Sequence, residues 1–187
     1  MRILIGIANY GTKNRRFLDR VLAEYRKMTR FEIDVVIFCE SCREYGDGVE
    51  VVVGLPSANP WSLPFAHKQT FAERLERYDL FIYTEDDTLI EDRHIDAFLR
   101  VTRLLPKDQI AGFVRYEVGA DGTRYYTTMH AHFHWDPNSV ARMGNHVFAH
   151  FRNEHSGCYI LTQDQLRRAL ASGGYLLPPR AGRYGFP

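Results

Sequence analysis

The stretch Leu80-Phe81-Ile82-Tyr83-Thr84-Glu85-Asp86-Asp87 is the most informative part of the chain, because a strongly apolar run ends directly in three carboxylates. Such a run is typical of a buried strand, but carboxylates crowded at its end cost free energy unless they hold a cation or accept hydrogen bonds. In an open α/β sheet, ligands bind beyond the carboxyl ends of the strands. Glu85, Asp86 and Asp87, here called the acidic tip, therefore predict a divalent-metal site that serves a phosphate-bearing substrate.

Composition limits the class of protein. The 187 residues suffice for one domain with a real core and are too few for two ordinary ones. The formal charge of +1 gives no electrostatic footprint for nucleic acid or for an acidic membrane. Hydrophobic residues make up 45% and charged residues 25%, and no run approaches the roughly 20 apolar residues that a spanning helix needs. We expect a globular, cytoplasmic protein without a transmembrane segment.

Strands and helices alternate in the first half of the chain. Apolar runs predict strands over residues 2–8, 33–38, 49–53 and 80–84, and three- and four-residue spacing predicts helices after the first, third and fourth strands. The second half predicts a hairpin, residues 110–118 and 124–134, and a last helix that begins with a capping box of Thr162 and Gln165. This order predicts an α/β fold, with a mostly parallel central sheet flanked by helices and a mixed, antiparallel second half.

Taken with this layout, Glu85-Asp86-Asp87 resembles the DxD motif of glycosyltransferases of the GT-A fold, in the Glu-Asp-Asp variant of some N-acetylglucosaminyltransferases. The resemblance in layout covers residues 2–170, and its specific part is the acidic tip. It implies a single Rossmann-like GT-A domain over residues 1–187, in which residues 1–105 bind a nucleotide-sugar and residues 106–187 face the acceptor. Family members usually continue with further acceptor-binding elements, so this sequence is expected to be either a minimal version or a shortened piece of a longer enzyme.

The same resemblance implies a divalent cation, Mn²⁺ or Mg²⁺, as cofactor. Oxygen ligands suit these hard ions, and such an ion neutralises the charge that grows on a departing nucleoside diphosphate. By the resemblance, Asp87 is the direct metal ligand, while Glu85 and Asp86 contact the ribose, metal-bound waters or the neighbouring backbone.

Six of the eight histidines fall between His130 and His155. A dedicated histidine site is disfavoured for His130, His132 and His134, because alternate residues of a strand lie about 7 Å apart. We expect instead that one histidine completes the coordination of the carboxylate-bound ion or contacts the diphosphate. The sequence leaves open which histidine this is, and His155 is the candidate.

Other strand ends supply candidate donor-binding residues. Asn9 and Tyr10 follow the first predicted strand and Glu40 follows the second, and parallel strands would place them beside Glu85 at one sheet edge. Glu40 there suits the base or the ribose. Lys68 resembles the position from which many family members reach the donor with a cationic side chain, although a solvated helix face is equally consistent with it.

A carboxylate is expected as general base, because the acceptor hydroxyl needs help in losing its proton and inverting members of the family use a carboxylate for this. Glu154 is the first candidate and Asp164 the second. The predicted function is a metal-dependent glycosyltransferase, hexosyl or N-acetylhexosaminyl. It would move a sugar from a nucleotide-sugar donor, by default a UDP-sugar, to a hydroxyl of a carbohydrate, protein or lipid acceptor.

Two other functions compete with this one. A sugar-nucleotide nucleotidyltransferase has a similar sheet, but that class usually opens with a glycine- and arginine-rich phosphate loop, which Asn9-Tyr10-Gly11-Thr12-Lys13 matches poorly. A non-catalytic zinc- or sugar-binding module would use Cys39, Cys42, Cys158 and histidine. No second C-x-x-C follows the first, so the cysteines are predicted to be small apolar fillers.

Overall fold

The computed structural model describes residues 1–126, 136–151 and 157–179. The chain divides into two compact units, one formed by Met1–Ile95 with Gly157–Pro187 and the other by Asp96–Ser156. These units do not follow the predicted halves 1–105 and 106–187, because the last part of the chain returns to the first unit. The single domain over residues 1–187 stays a prediction.

Nine strands are formed by the described residues. They are β1 (Arg2–Asn9), β2 (Glu32–Cys39), β3 (Val49–Val53), β4 (Leu80–Glu85), β5 (Tyr116–Val118), β6 (Arg124–Tyr126), β7 (Ala141–Met143), β8 (His146–Phe148) and β9 (Cys158–Thr162).

A five-stranded sheet, in the order β3-β2-β1-β4-β9, forms the centre of the first unit. β1 is parallel to β2 and β4, β2 is parallel to β3, and β9 runs antiparallel to β4. The central strands are continuously apolar because both of their faces are covered; β1 is buried from Ile3 to Asn9. The predicted fold class, α/β with a mostly parallel central sheet flanked by helices, is confirmed.

Four α-helices are formed by the described residues, namely α1 (Arg15–Lys27), α2 (His67–Glu73), α3 (Asp92–Thr102) and α4 (Gln163–Ala171). The sequence predicts one helix over residues 65–78, whereas α2 lies between two short 3-10 helices, Pro60–Phe65 and Leu75–Arg77. Pro60 and Pro64 have no N–H to donate, which favours a short, tight turn over a regular α-helix in this segment. None of the described helices is long and apolar enough to span a membrane.

Helices cover both faces of the sheet. α1 leads from β1 to β2 and α2 leads in the opposite direction, from β3 to β4, so right-handed crossovers place the two helices on opposite faces. Phe71 of α2 and Leu166 of α4 belong to one buried cluster with alternate residues of the strands, namely Leu4, Ala8, Val36, Phe38, Phe81, Tyr83 and Leu161. The strand residues between these face α1, since successive side chains of a strand alternate.

The antiparallel strand β9 determines where α4 begins. Thr162 pairs with Leu80 and Cys158 with Thr84, so β9 ends at the amino-terminal edge of the parallel strands. The predicted capping box is confirmed: Thr162 Oγ1 accepts the N–H of Gln165 over 3.2 Å, and Gln165 Oε1 accepts the N–H of Thr162 over 2.9 Å. Both bonds satisfy N–H groups that the first turn of a helix leaves free.

Two antiparallel pairs, β5 with β6 and β7 with β8, are described in the second unit. Between β5 and β6 the turn contains Gly122 at a φ of 82°, in the left-handed region that favours glycine. The hairpin predicted over residues 110–118 and 124–134 is confirmed for Tyr116–Val118 and Arg124–Tyr126. Residues 127–135, with His130, His132 and His134, lie outside the described residues.

Candidate functional site

The carboxyl ends of β1, β2 and β4 meet at one edge of the sheet. Asn9 pairs with Cys39 and Ala8 pairs with Glu85, so the three strands end within one residue of each other. The chain leaves β1 toward β2, whereas after β4 it returns to the sheet as β9, on the opposite side. The strand order thus reverses between β1 and β4, which is where open α/β sheets bind ligands. As predicted, Asn9, Glu40 and the acidic tip lie together at this edge.

Asp86 of the acidic tip points inward and is 5% exposed. Asn9 Nδ2 donates to its Oδ2 over 2.6 Å, and Asn14 Nδ2 donates to its Oδ1 over 2.8 Å. The Tyr45 hydroxyl donates in turn to Asn9 Oδ1 over 2.7 Å. Burial raises the pKa of Asp86 above its ordinary value, against the two amide donors, which favour the carboxylate. Asp86 therefore ties the β1–α1 loop, residues 10–14, to the end of β4.

Glu40 holds the same loop from the side of β2. Its Oε1 accepts the N–H of Gly11 over 3.1 Å, and its carboxylate forms a close ion pair with Arg43. The hydrogen bond from the Arg43 guanidinium holds the pKa of Glu40 below its ordinary value. Gly11 has a φ of 69°, a conformation that glycine adopts without strain. Glu40 therefore acts first as a partner of the loop and of Arg43.

The outer carboxylates of the acidic tip are more accessible than Asp86. Glu85 is half-buried and Asp87 is exposed. Asp87 Oδ1 accepts a long hydrogen bond of 3.4 Å from Thr88 Oγ1. The turn itself is fixed by two further bonds, because Thr88 N donates to the Glu85 carbonyl over 3.2 Å and Thr84 Oγ1 donates to the Thr88 carbonyl over 3.0 Å. The acidic tip is thus divided into one inward and two more accessible carboxylates.

Within residues 1–126, 136–151 and 157–179, no group of three or more His, Cys, Asp or Glu side chains is arranged to hold a metal ion. Cys39 is buried and its Sγ lies 3.8 Å from the Val52 carbonyl, while Cys42 is exposed and Cys158 is half-buried. The described part of the chain gives no support to a zinc-binding module. The cation at Asp87 and Glu85 stays a prediction.

Lys68 lies at the start of α2, which the chain reaches from the carboxyl end of β3. Its Nζ lies 4.6 Å from the ring centroid of Phe65 and 5.5 Å from that of Tyr175. Burial lowers the pKa of the Lys68 ammonium group. The side chain therefore packs between two aromatic rings, which a fully solvated helix face does not explain.

Asp164 lies away from the acidic tip. It is the second residue of α4, which begins at the amino-terminal edge of the sheet, and its carboxylate pairs with Arg167 over 2.8 Å. β4 spans six residues, so at about 3.3 Å per residue the two edges are about 17 Å apart. Asp164 is therefore not part of the candidate site. Glu154 and His155 lie outside the described residues.

Three residues at this edge of the sheet are not among the predicted site residues: Asn14, Arg43 and Tyr45. Asn14 precedes α1, where an asparagine is ordinarily predicted to cap the helix, but its side chain bonds to Asp86, 72 residues away. Tyr45 bonds to Asn9, 36 residues away. No local pattern in the sequence carries such pairings. Arg43 follows Glu40 by three residues, a spacing that does allow a local ion pair.

No protein-family model and no curated protein matches the chain. A crystal structure of S. aureus TarS 1–349 is similar over 56% of this chain and 33% of that one, at 12% identity and a TM-score of 0.36. This chain thus spans about a third of that structure. A crystal structure of 4-diphosphocytidyl-2C-methyl-D-erythritol synthase is similar over 92% of this chain and 80% of that one, at 11% identity and a TM-score of 0.44. These likenesses concern the arrangement of helices and strands.

Proposed function

We propose that this chain is a glycosyltransferase that moves a sugar from a nucleotide-sugar, by default a UDP-sugar, to a hydroxyl of a carbohydrate, protein or lipid acceptor. One observation carries the proposal: the acidic tip lies at the end of β4, next to β1, where the strand order of the sheet reverses. Carboxylates at that position are suited to hold a cation against the diphosphate of a nucleotide.

Glu85 and Asp87 are the proposed ligands of a Mn²⁺ or Mg²⁺ ion. Asp86 is 5% exposed, whereas Glu85 is half-buried and Asp87 exposed, so these two are the more accessible carboxylates of the acidic tip. Mg²⁺ is typically held by one or two carboxylates together with substrate phosphates, so this pair fits an ion that is shared with the donor. When bound, the ion stabilises negative charge on the leaving diphosphate. His155 is the proposed further ligand of the ion.

The other donor contacts are assigned by position. Tyr10 is 53% exposed directly after β1, and its ring is free of the core to stack on the base. Glu40 Oε2 accepts one described bond, 3.2 Å from Arg43 Nη1, so it retains capacity for a ribose hydroxyl. Lys68 supplies a cation on the sheet face that also carries Glu85 and Glu40. We propose that it contacts the diphosphate.

Glu154 is the proposed general base for the acceptor hydroxyl. Its role is to take the proton as the hydroxyl oxygen attacks the donor sugar, which makes that oxygen a better nucleophile. Asp164 no longer competes for this role, because it lies at the opposite edge of the sheet.

The β1–α1 loop favours sugar transfer over nucleotidyl transfer. A phosphate-binding loop presents free backbone N–H groups to the phosphates. Here the N–H of Gly11 donates to Glu40, and the side chains of Asn9 and Asn14 at the ends of the loop donate to Asp86. The Gly11 N–H is therefore directed at a carboxylate of the protein and not at a phosphate.

A thermal-shift experiment with UDP and MnCl₂ tests the proposal on the full chain. Binding to the folded state raises the melting temperature, by about 5–10 °C when UDP exceeds its Kd about a hundredfold. Asp87→Asn is expected to abolish the shift and to leave the melting temperature without ligand nearly unchanged, since Asp87 is exposed.

Asp164→Asn is the matched control, because it removes the same charge at the opposite edge of the sheet and should keep the full shift. If Asp87→Asn responds to UDP and Mn²⁺ like the wild type, the assignment of the cation fails. Release of UDP from UDP-sugars identifies the transferase, whereas release of pyrophosphate from UTP and a sugar 1-phosphate identifies the nucleotidyltransferase instead.

A further inference from the structure

The three carboxylates of the acidic tip do not have equivalent surroundings. Asp86 is 5% exposed, and both of its oxygens are within hydrogen-bond distance of side-chain amides, at 2.6 Å from Asn9 Nδ2 and 2.8 Å from Asn14 Nδ2. Asp87, its neighbour, is exposed. Each oxygen keeps a further lone pair, but because Asp86 is buried a cation could reach it only by displacing the side chains that cover it.

The two amides belong to the ends of one loop. Asn9 is the last residue of β1 and Asn14 directly precedes α1. Asp86 therefore bonds to both ends of the loop between them. Glu40 adds a third point of attachment at Gly11 N–H. Between these points, Tyr10 remains 53% exposed. The loop is thus fixed at its base, and the Tyr10 ring within it is exposed.

We infer that Asp86 is a positioning residue that holds the β1–α1 loop in its nucleotide-binding form and does not itself contact the cation or the donor. The inference rests on the proposed function for the identity of the ligand. It separates the roles within the acidic tip: Asp87 and Glu85 act on the ligand, and Asp86 acts through Asn9, Asn14 and the loop between them.

The hydrogen bonds that join Asp86 to Asn9, Asn14 and, through Asn9, to Tyr45 are here called the anchor. They allow the acid at position 86 and the amide at position 9 to be exchanged. In the double variant Asn9→Asp with Asp86→Asn, the new carboxylate at position 9 accepts from the Tyr45 hydroxyl and from the new amide at position 86. The carbonyl of that amide accepts from Asn14 Nδ2. Every described bond of the anchor keeps a donor and an acceptor, while the negative charge moves from β4 to β1. A positioning role survives this exchange, but a role in direct contact with a cation does not.

The experiment compares wild type, Asp86→Asn, Asn9→Asp and the double variant, each as the full chain. Hydrogen exchange of the backbone amides of residues 10–13 reports on the loop without ligand. The thermal shift with UDP and MnCl₂ reports on binding. Each single variant is expected to lower the protection of the Gly11 amide by about tenfold or more and to reduce the thermal shift, because each leaves two donors or two carboxylates facing each other. The double variant should restore both.

Two results would overturn the inference. If the double variant regains loop protection but not the thermal shift, Asp86 acts on the ligand directly. If Asp86→Asn leaves the exchange of residues 10–13 unchanged, Asp86 does not hold the loop. A wild-type protein that gives no shift with UDP or another nucleoside diphosphate contradicts the proposed function instead, and the exchange measurements still decide whether Asp86 fixes the loop.

Discussion

The imidazole Nε2 of His67 and the hydroxyl of Tyr159 are hydrogen-bonded to each other, joining α2 to β9 inside the core of the first unit. The Tyr159 hydroxyl also lies 2.7 Å from the hydroxyl of Tyr175, and the His67 ring stacks on Tyr83 at 4.2 Å between ring centroids. His67 is 2% exposed, while Tyr159 and Tyr175 are half-buried, so the group runs from a buried imidazole to partly accessible hydroxyls. Removing one of these hydroxyls would leave a polar atom without the partner it has in the folded protein.

Replacing Tyr159 with Phe is expected to lower the free energy of unfolding by about 1–3 kcal/mol, because His67 Nε2 would be left buried without its partner. Urea denaturation measures the change. Tyr125→Phe is a suitable control: Tyr125 is 55% exposed, and its change should stay within about 0.5 kcal/mol. Equal stability of the Tyr159→Phe variant and the wild type would show that the bond to His67 adds nothing to the folded state.

His67 should make the stability of the protein depend on pH below neutrality. Burial, with a smaller contribution from the Lys68 charge, lowers the pKa of His67 to about 3, well below the 6.5 of a free imidazole. Between these values the unfolded chain binds a proton that the folded chain does not. The free energy of unfolding therefore falls as pH drops below about 6.5, by up to about 1.4 kcal/mol per pH unit. Above pH 6.5 His67 is neutral in both states and no longer makes the free energy of unfolding depend on pH.

His67→Gln isolates this effect, because glutamine keeps a polar group for Tyr159 but does not titrate. Urea denaturation of both proteins between pH 4 and 7.5 should give a steeper pH dependence for the wild type. If the two slopes are the same, His67 does not stay neutral in the folded protein.

Gly6 is expected to tolerate no side chain. A Cβ at Gly6 would lie 3.1 Å from His67 Cβ and from Phe71 Cε1, and 3.2 Å from Phe38 Cε2, and all three side chains are buried. Such overpacking costs about 1–3 kcal/mol, so Gly6→Ala should lower the melting temperature by several degrees. Gly112→Ala is the control, since nothing lies within 4 Å of its Cβ position. An unchanged melting temperature for Gly6→Ala would mean that α2 does not pack this closely on β1.

Lys68 is expected to affect binding more than stability. Lys68→Met keeps much of the apolar contact with Phe65 and Tyr175 but removes the charge, so the thermal shift with UDP and MnCl₂ should fall while the protein without ligand melts within a few degrees of the wild type. Lys68→Arg retains the charge and should retain part of the shift. If Lys68→Met keeps the full shift, Lys68 only packs against the two rings.

Several features of the fold are determined by the sequence alone. The continuously apolar runs of β1, β2 and β4 predict a parallel sheet covered on both faces, because each run spans both alternating sides of a strand. The capping box of Thr162 and Gln165 is also predicted by the sequence and confirmed by the structure, since its two partners are three residues apart. Strand period, helix period and capping are all decided within a few residues along the chain.

The tertiary structure alone decides which of the predicted site residues meet, and in what role. Asp86 and Asp87 are adjacent aspartates that the sequence does not distinguish. In the structure Asp87 is exposed, whereas Asp86 is buried and bonds to Asn9 and Asn14, which are 77 and 72 residues away. The direction of β9, which the sequence pattern does not reveal, carries Asp164 to the edge opposite the acidic tip. The physical reason is the same in both cases: a polar side chain takes the partner that strand register brings to it, and register is set by contacts between distant parts of the chain.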